Sequence, residues 1–238
     1  MSLRVTAIIA AYNEEQTLAS VLAPLRAHPQ IEEIIVVSDG STDGTVEVAR
    51  AEGARTIALR SNQGKGYAMR VGVEHATGNV LFFVDADMLH LTSHHIDSLI
   101  GPVMAGRTDM NVGVRHRDPV RNFLHLRMHI GPVLSGIRVM TRGVFYAVPT
   151  QFMERFKIEL ALNYFCRRAG FRQMTTVVRN LGHVIKEQKR GFGDGLAGRA
   201  KMTREVALLH LDLYIFQSWK WGARAERPAV EFERFDAL

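Results

Sequence analysis

VLFFVDAD, residues 80–87, joins a strand pattern to a pair of acids. Its first five residues are apolar and rich in β-forming types, which predicts a buried strand. Asp85 and Asp87 would repel each other and lose hydration beside such a strand, a cost that is usually met by a cation. Mg²⁺ and Mn²⁺ prefer oxygen ligands and often bind one or two carboxylates together with substrate phosphates. The stretch therefore indicates a metal that holds a phosphorylated substrate, although acidic turns after strands are common.

This strand belongs to a series in which predicted strands and helices alternate. The predicted strands are residues 5–11, 31–37, 56–59, 80–84, 110–114 and 174–181, and the predicted helices include residues 64–76, 96–105 and 154–168. Asn13 is predicted to N-cap the helix that follows the first strand. The alternation predicts an α/β fold with a mostly parallel central sheet and helices on both faces. In such sheets, ligands bind at the carboxyl ends of the strands.

The composition is that of a protein with a substantial core. At 238 residues and 47% apolar content, the chain is expected to form one large domain. The single cysteine, Cys166, excludes an intrachain disulfide and fits a reducing compartment as a buried thiol. No window reaches the ~18 to 20 apolar residues of a membrane span, which predicts a cytoplasmic protein, with peripheral membrane contact and a homodimer left open.

Charge divides the chain into two unlike halves. Residues 1–119 carry 10 Lys and Arg against 14 Asp and Glu, a net charge of −4, whereas residues 120–238 carry 20 against 10, a net charge of +10. We expect an acidic, metal-suited half over residues 1–119, a basic half of the same domain over 120–224, and a charged tail over 225–238. The basic half suits an anionic ligand, a lipid phosphate or a plain solvated surface. Nucleic acid is disfavoured, since no nucleic-acid-binding signature is present.

Each of the first strands is followed by a polar motif. These motifs are Tyr12-Asn13-Glu14, Asp39-Gly40-Ser41-Thr42-Asp43, Gly64-Lys65-Gly66 and Asp85-Ala86-Asp87. The first could offer a nucleotide base hydrogen bonds and an aromatic wall, and Asp39 could accept from the base or ribose. The glycines of the third let the backbone approach a ligand, and Lys65 offers a cation to phosphate. The bland alternatives are helix caps for Asn13 and residues 41–43, and a surface turn for the Gly-Lys-Gly.

Taken together and in this order, the motifs resemble those of glycosyltransferase family 2, whose members have the nucleotide-sugar-binding GT-A fold. Ala11 stands where the family opens with proline, and the resemblance is most specific over residues 5–87. It implies a nucleotide-sugar-binding half over residues 1–119 and an acceptor-binding half of the same GT-A domain over residues 120–224. It implies direct ligation of Mg²⁺ or Mn²⁺ by Asp87, with Asp85 on ribose, sugar hydroxyls or metal-bound water. The residues that it implies for nucleotide-sugar binding are Ala11, Tyr12, Asn13, Glu14, Asp39, Gly64, Lys65, Asp85 and Ala86.

The second half of the chain must supply the acceptor side. Residues 135–138, Ser-Gly-Ile-Arg, resemble the polyprenyl-phosphate branch of the family, of the dolichyl-phosphate mannose synthase type. Arg138 could hold a phosphate or an acidic acceptor, or it could be a surface arginine beside a turn. Glu159 could be a general base for a sugar hydroxyl, or an ordinary helix glutamate. Catalytic roles are thus predicted for Asp85, Asp87, Glu159 and Arg138.

Three later residues complete the predicted site. His183 follows a predicted strand, and the resemblance implies that it could complete the metal shell, as a late histidine does in some metal-dependent enzymes of this fold. Imidazole suits Mn²⁺ better than Mg²⁺, and the alternative is a structural histidine. Lys189 and Arg190 precede the glycine-rich residues 191–198 and are predicted to close over the donor diphosphate, which would exclude water.

The sequence thus predicts a metal-dependent glycosyltransferase that uses a UDP- or GDP-linked sugar. The acceptor is a polyprenyl phosphate or a small acidic or phosphorylated compound, and the choice between inversion and retention stays open. One alternative is a nucleotidyltransferase on a related fold, which should carry a glycine-rich loop after the first strand, where this chain has Tyr-Asn-Glu-Glu. The other is a catalytically inactive nucleotide-sugar-binding module.

Overall fold

Apolar strands separated by helices build one large sheet in the computed structural model, which describes residues 3–115, 135–153 and 157–183. The strands are β1 Val5–Ala11, β2 Ile31–Ser38, β3 Arg55–Ala58, β4 Val80–Phe83, β5 Met88–Leu89, β6 Met110–Arg115, β7 Arg138–Thr141, β8 Gln173–Val178 and β9 Gly182–His183. The helices are α1 Leu18–Arg26, α2 Thr45–Ala51, α3 Lys65–His75, α4 Ser93–Met104, α5 Arg142–Tyr146 and α6 Lys157–Arg168, with a 3₁₀ turn at Thr150–Phe152.

Seven of these strands are hydrogen-bonded in the order β3-β2-β1-β4-β7-β6-β8. Strand β1 lies between β2 and β4 and is parallel to both, with Ile8 opposite Ile35 on one side and Phe83 on the other. Strand β7 is antiparallel to β4 and to β6, while β6 and β8 are parallel. The predicted mostly parallel α/β sheet is confirmed, and the carboxyl ends of β1, β2 and β4 meet at one edge.

Helices cover both faces of the sheet, as predicted. Strand β1 shows why, because Ile8 packs into the core beneath α3, α5 and α6, whereas Ala7 and Ile9 pack into the core beneath α1, α2 and α4. Alternating side chains of one strand therefore bury apolar groups in two separate layers. Cys166 is buried in the first layer, and burial raises the pKa of its thiol to about 12. This confirms the prediction of a buried thiol.

Several local predictions differ from the structure. Asn13 does not cap α1, which begins four residues later with Thr17 at the N-cap position. The strand and helix over residues 138–146 are missing from the prediction, because these elements have only four and five residues. The predicted strand at residues 174–181 ends at Val178. The glycine-rich residues 191–198 and the tail at 225–238 lie outside the described residues, as does the expected boundary near residue 119.

Glycine at position 72 lets α3 pack closely on the sheet. A Cβ there would clash with Cγ2 of Ile8, which is a buried side chain of the core. We predict that Gly72→Ala lowers the free energy of unfolding by about 1–3 kcal/mol through overpacking, despite the better helix propensity of alanine. Urea denaturation measures the change.

Gly101 in α4 is the matched control, because a Cβ there meets nothing within 4 Å. Gly101→Ala should raise the free energy of unfolding by about 0.5–1 kcal/mol. Equal effects of the two substitutions would contradict the close packing of α3 on β1.

Candidate active site

The turns after β1 and β2 are joined to each other at the carboxyl edge of the sheet. The side-chain oxygen of Asn13 accepts a hydrogen bond from the Thr42 N–H at 2.8 Å, and the Asn13 N–H donates to Ser41 Oγ at 3.1 Å. The Glu14 N–H donates to Thr45 Oγ1 at 2.8 Å. Asn13 has a φ of 55°, a left-handed conformation that asparagine tolerates better than most residues. It therefore ties two loops together, and contact with a nucleotide stays a prediction.

Asp43 and Glu15 hold the start of α2. Oδ1 of Asp43 accepts from the Thr45 N–H at 3.1 Å, and Oε2 of Glu15 accepts from the Gly44 N–H at 2.7 Å. Burial raises the pKa of Asp43, but hydrogen bonds from Thr45 and from backbone amides outweigh it and lower the pKa overall. For Asp43, the helix-capping alternative fits the structure.

Asp39 is buried and binds the backbone of the loop that carries the Gly-Lys-Gly. Its Oδ1 accepts from the Gln63 N–H at 2.7 Å, and its Oδ2 accepts from the Gly64 N–H at 2.8 Å. Gly40 packs directly on this loop, since a Cβ at position 40 would lie 2.5 Å from the backbone nitrogen of Asn62. Asp39 thus positions the turn that begins α3, in addition to its predicted contact with base or ribose.

Lys65, the first residue of α3, forms a bridge between two carboxylates. Its Nζ donates to Oδ1 of Asp85 and to Oε1 of Glu159, each at 2.6 Å. The three side chains are 19%, 29% and 11% exposed, respectively. Burial lowers the pKa of Lys65, but the two carboxylates outweigh it and hold that pKa well above its usual range. The structure therefore unites three predicted residues that are far apart in the sequence.

A glycine that the sequence analysis did not single out covers Asp85. A Cβ at Gly136 would clash with Oδ1 of Asp85, so a larger residue cannot occupy this position without displacing the carboxylate. The signal for it was present, because Gly136 belongs to the Ser-Gly-Ile-Arg segment used to infer the acceptor side.

Arg138 is 0% exposed and is not the surface arginine considered as an alternative. It donates to the Ser135 carbonyl from Nε at 3.1 Å and from Nη2 at 2.5 Å, and to the Glu159 carbonyl from Nη1 at 3.3 Å. Burial lowers the pKa of Arg138, against the opposing influence of Glu159 and Asp85. Direct contact of Arg138 with an acceptor stays a prediction.

Asp87 lies next to the small sheet formed by β5 and β9. It is buried, as is Ala86, and Met88 pairs with His183 across the antiparallel strands. The backbone thus brings His183 opposite the neighbour of Asp87. Among the side chains that the structure describes, no group of three His, Cys, Asp or Glu is arranged to hold a metal ion, and the His183 side chain is outside that set. Asp85 and Asp87 supply carboxylate oxygens, the type of ligand that Mg²⁺ and Mn²⁺ prefer, so these residues fit such an ion.

The other predicted residues lie at the ends of strands or beyond the described ranges. Ala11 ends β1 and is buried, and Tyr12 follows it half-buried. Lys189 and Arg190 are outside the described residues. Within residues 3–115, 135–153 and 157–183, no helix has both the length and the apolar content needed to cross a bilayer.

Comparison with known proteins identifies one family. The model of glycosyl transferase family 2 matches residues 6–172. The chain is 32% identical over 184 residues to the glycosyltransferase AglJ of Haloferax volcanii, which covers 70% of this chain and 59% of that protein. It is 43% identical over 102 residues to the dolichyl-phosphate beta-glucosyltransferase of Drosophila melanogaster, which covers 36% of this chain and 31% of that protein. The chain therefore matches less than two thirds of each relative.

Solved structures agree on the fold. The glucosyl-3-phosphoglycerate synthase of Mycobacterium tuberculosis, in complex with phosphoglyceric acid, superposes with a TM-score of 0.73 and 24% identity, covering 88% of this chain and 79% of that one. The same enzyme with Mn²⁺, UDP-glucose and phosphoglyceric acid superposes with a TM-score of 0.73 and 23% identity, with the same coverage. The predicted GT-A fold is thereby confirmed.

The role of Asp39 in positioning the loop can be tested by Asp39→Asn. Asparagine keeps one acceptor oxygen but presents an N–H₂ to the other backbone N–H, leaving a buried donor without a partner. We expect the free energy of unfolding to fall by about 1–3 kcal/mol in urea denaturation. Asp97→Asn in α4 is the control, because the exposed Asp97 contacts His28 through one oxygen and should change stability by less than about 0.5 kcal/mol. Unchanged stability of the Asp39 variant would contradict the role.

The bridge formed by Lys65 makes a pH-dependent prediction. Lys65→Met leaves two partly buried carboxylates without their shared cation, which should lower the free energy of unfolding by about 2 kcal/mol at pH 7.5. Lys65 is protonated from pH 5 to pH 8, so the wild-type bridge persists over this range. In the variant, a proton taken up at acidic pH replaces the missing cation, so its deficit should shrink towards pH 5. A deficit that is constant between pH 5 and pH 8 would contradict this electrostatic origin.

Proposed function

Because the chain belongs to glycosyl transferase family 2, we propose that it is a metal-dependent glycosyltransferase that moves a sugar from a nucleoside-diphosphate sugar to an acceptor. The observation that carries the proposal is the contact of Lys65 with Asp85 and Glu159. It joins the acidic motif and the Gly-Lys-Gly turn to α6 at the carboxyl edge of the sheet, where α/β folds bind their ligands.

On the donor side, we assign the nucleoside to the turns after β1 and β2. Tyr12 would supply an aromatic surface for the base and Glu14 a hydrogen-bonding group. Asp39 follows β2 at the same edge of the sheet and would accept from the base or ribose. Gly64 would let a diphosphate approach the backbone of this turn, and Lys65, the next residue, would offer it a positive charge. Support for a UDP-linked donor comes from the structural neighbour that was crystallised with UDP-glucose.

Asp87 is the first choice for holding Mg²⁺ or Mn²⁺, and His183 is the second. The pairing of Met88 with His183 supports this assignment. When bound, the metal ion would neutralise charge on the departing nucleoside diphosphate. Asp85 then contacts ribose, sugar hydroxyls or metal-bound water, and Lys189 and Arg190 close over the diphosphate from the second half of the chain.

On the acceptor side, Glu159 contacts the same lysine as Asp85 and is suited to act as a general base for a hydroxyl group. Its carboxylate is held by Lys65, so substrate binding must move or share that lysine before Glu159 can accept a proton. A phosphate acceptor would need no base, since its oxygen is already ionised. The dolichyl-phosphate enzyme supports a lipid phosphate, and the neighbour with phosphoglyceric acid supports a small phosphorylated acid. A lipid acceptor would bring the protein to a membrane surface.

The direct test is a panel of UDP- and GDP-sugars with each acceptor class, with and without Mg²⁺ or Mn²⁺, analysed by mass spectrometry. A glycosyltransferase would release a nucleoside diphosphate and form a glycosylated acceptor. A nucleotidyltransferase would instead consume a nucleoside triphosphate and release pyrophosphate. An inactive binding module would be stabilised by a nucleotide sugar in a thermal shift assay and release nothing.

Asp87→Asn weakens the proposed metal site while preserving the shape of the side chain. We predict that metal-dependent release of nucleoside diphosphate falls by about 100-fold or more, an effect typical of losing charge stabilisation in the transition state. Asp97→Asn is the control at an exposed acid of α4 and should keep wild-type activity. Turnover by the wild type that is equally fast with EDTA would overturn the proposed mechanism.

A further inference from the structure

We propose that Arg138 is a positioning residue, which holds Gly136 and Glu159 in place around the Asp85–Lys65 pair from inside the protein. The inference rests on the proposed glycosyl transfer and assigns Arg138 a role in cleavage of the donor. It differs from the role expected from the sequence, in which Arg138 binds the acceptor.

The first argument is the path of the chain around Arg138. Arg138 begins β7 and pairs with Phe83 at the end of β4, two residues before Asp85. Its guanidinium turns back to the carbonyl of Ser135 and binds it with two nitrogens. Ser135 is also fixed at its side chain, because its Oγ donates to the Gly113 carbonyl at 2.5 Å.

These hydrogen bonds fix the position of Gly136. The residue lies between the two anchored positions, Ser135 and Arg138, and its Cα faces the carboxylate of Asp85 at a distance that excludes a side chain. The segment therefore limits the movement of the Asp85 carboxylate. Loss of the guanidinium would release the carbonyl of Ser135 and allow this segment to move away.

The second argument is the link from Arg138 to α6. Nη1 donates to the backbone carbonyl of Glu159 at 3.3 Å and to Oδ1 of Asn163 at 3.5 Å, one turn further along the helix. The same residue, Glu159, presents its carboxylate to Lys65. One buried guanidinium thus holds the backbone of both segments that surround the Asp85–Lys65 pair.

The third argument is the balance of charge. Lys65 and Arg138 supply two positive charges near the two negative charges of Asp85 and Glu159. The guanidinium hydrogen bonds named above go to backbone carbonyls and an amide oxygen, whereas Lys65 donates directly to both carboxylates. Because Arg138 is 0% exposed, binding an acceptor phosphate would require it to leave these partners, whereas positioning requires no movement.

The test separates donor cleavage from acceptor binding. Arg138→Met removes the guanidinium at similar length, and Arg138→Lys restores the charge with fewer donors. Arg142→Met is the matched control, because the guanidinium of Arg142 likewise binds backbone carbonyls, those of Val73, Ala76 and Gly78, but at the opposite edge of the sheet. For each protein, thermal unfolding gives the folded fraction, and kinetics give donor hydrolysis without acceptor and the kcat and KM for transfer.

We expect Arg138→Met to reduce donor hydrolysis and kcat by about 10- to 100-fold per folded molecule, as displaced catalytic groups do, with less than a threefold change in the acceptor KM. Arg138→Lys should recover part of the loss, and Arg142→Met should match the wild type per folded molecule. A raised acceptor KM with unchanged donor hydrolysis would overturn the proposal and assign Arg138 to the acceptor. Equal losses in the Met variants of Arg138 and Arg142 would reduce its role to stability. Absence of donor cleavage in the wild type itself would instead overturn the proposed function.

Discussion

The site depends on one ammonium group shared by two carboxylates. Lys65 reaches Asp85 at the end of β4 and Glu159 on α6, and each contact is 2.6 Å long. Two partly buried carboxylates that both contact one ammonium group would repel each other if that cation were absent. The lysine can occupy this place because Asp39 binds the two backbone amides that precede it and so sets the start of α3. The carboxyl ends of β2, β3 and β4 are thereby coupled to α6 in the second half of the chain.

This coupling suggests how binding of the donor and preparation of the acceptor side are connected. In the proposed function, a diphosphate bound near Lys65 would compete with Glu159 for the same ammonium group, so donor binding would weaken the contact of Lys65 with that carboxylate. The buried Arg138 keeps the backbone of Glu159 fixed through such a change. In this proposal, Lys65 would exchange a carboxylate for a phosphate, while Arg138 would keep its hydrogen bonds to the backbone. The side chains of the site could then rearrange while its backbone stays in place.

Much of this arrangement could be predicted from local patterns. The apolar strand at residues 80–84 and the motifs after β1 and β2 indicated the sheet, its direction and the edge that carries the site, because strand periodicity and turn chemistry are local properties. The burial of Arg138 could not be predicted, since it depends on α6, whose contacting residues are more than twenty positions away. The same holds for Gly136, whose role appears only when Asp85 is placed beside it. The sequence predicts that Asn13 caps a helix, because it does not reveal that the side chain of Asn13 accepts a hydrogen bond from the Thr42 N–H.

The most direct test of the central claim is a double-mutant cycle on Lys65 and Glu159, measured by urea denaturation at pH 7.5. Lys65→Met, Glu159→Gln and the double variant are compared with the wild type. If the ammonium group is shared as the structure shows, the two substitutions should be non-additive, with a coupling free energy of about 1–2 kcal/mol. Additivity within about 0.5 kcal/mol would show that the two side chains act independently and would contradict the bridge.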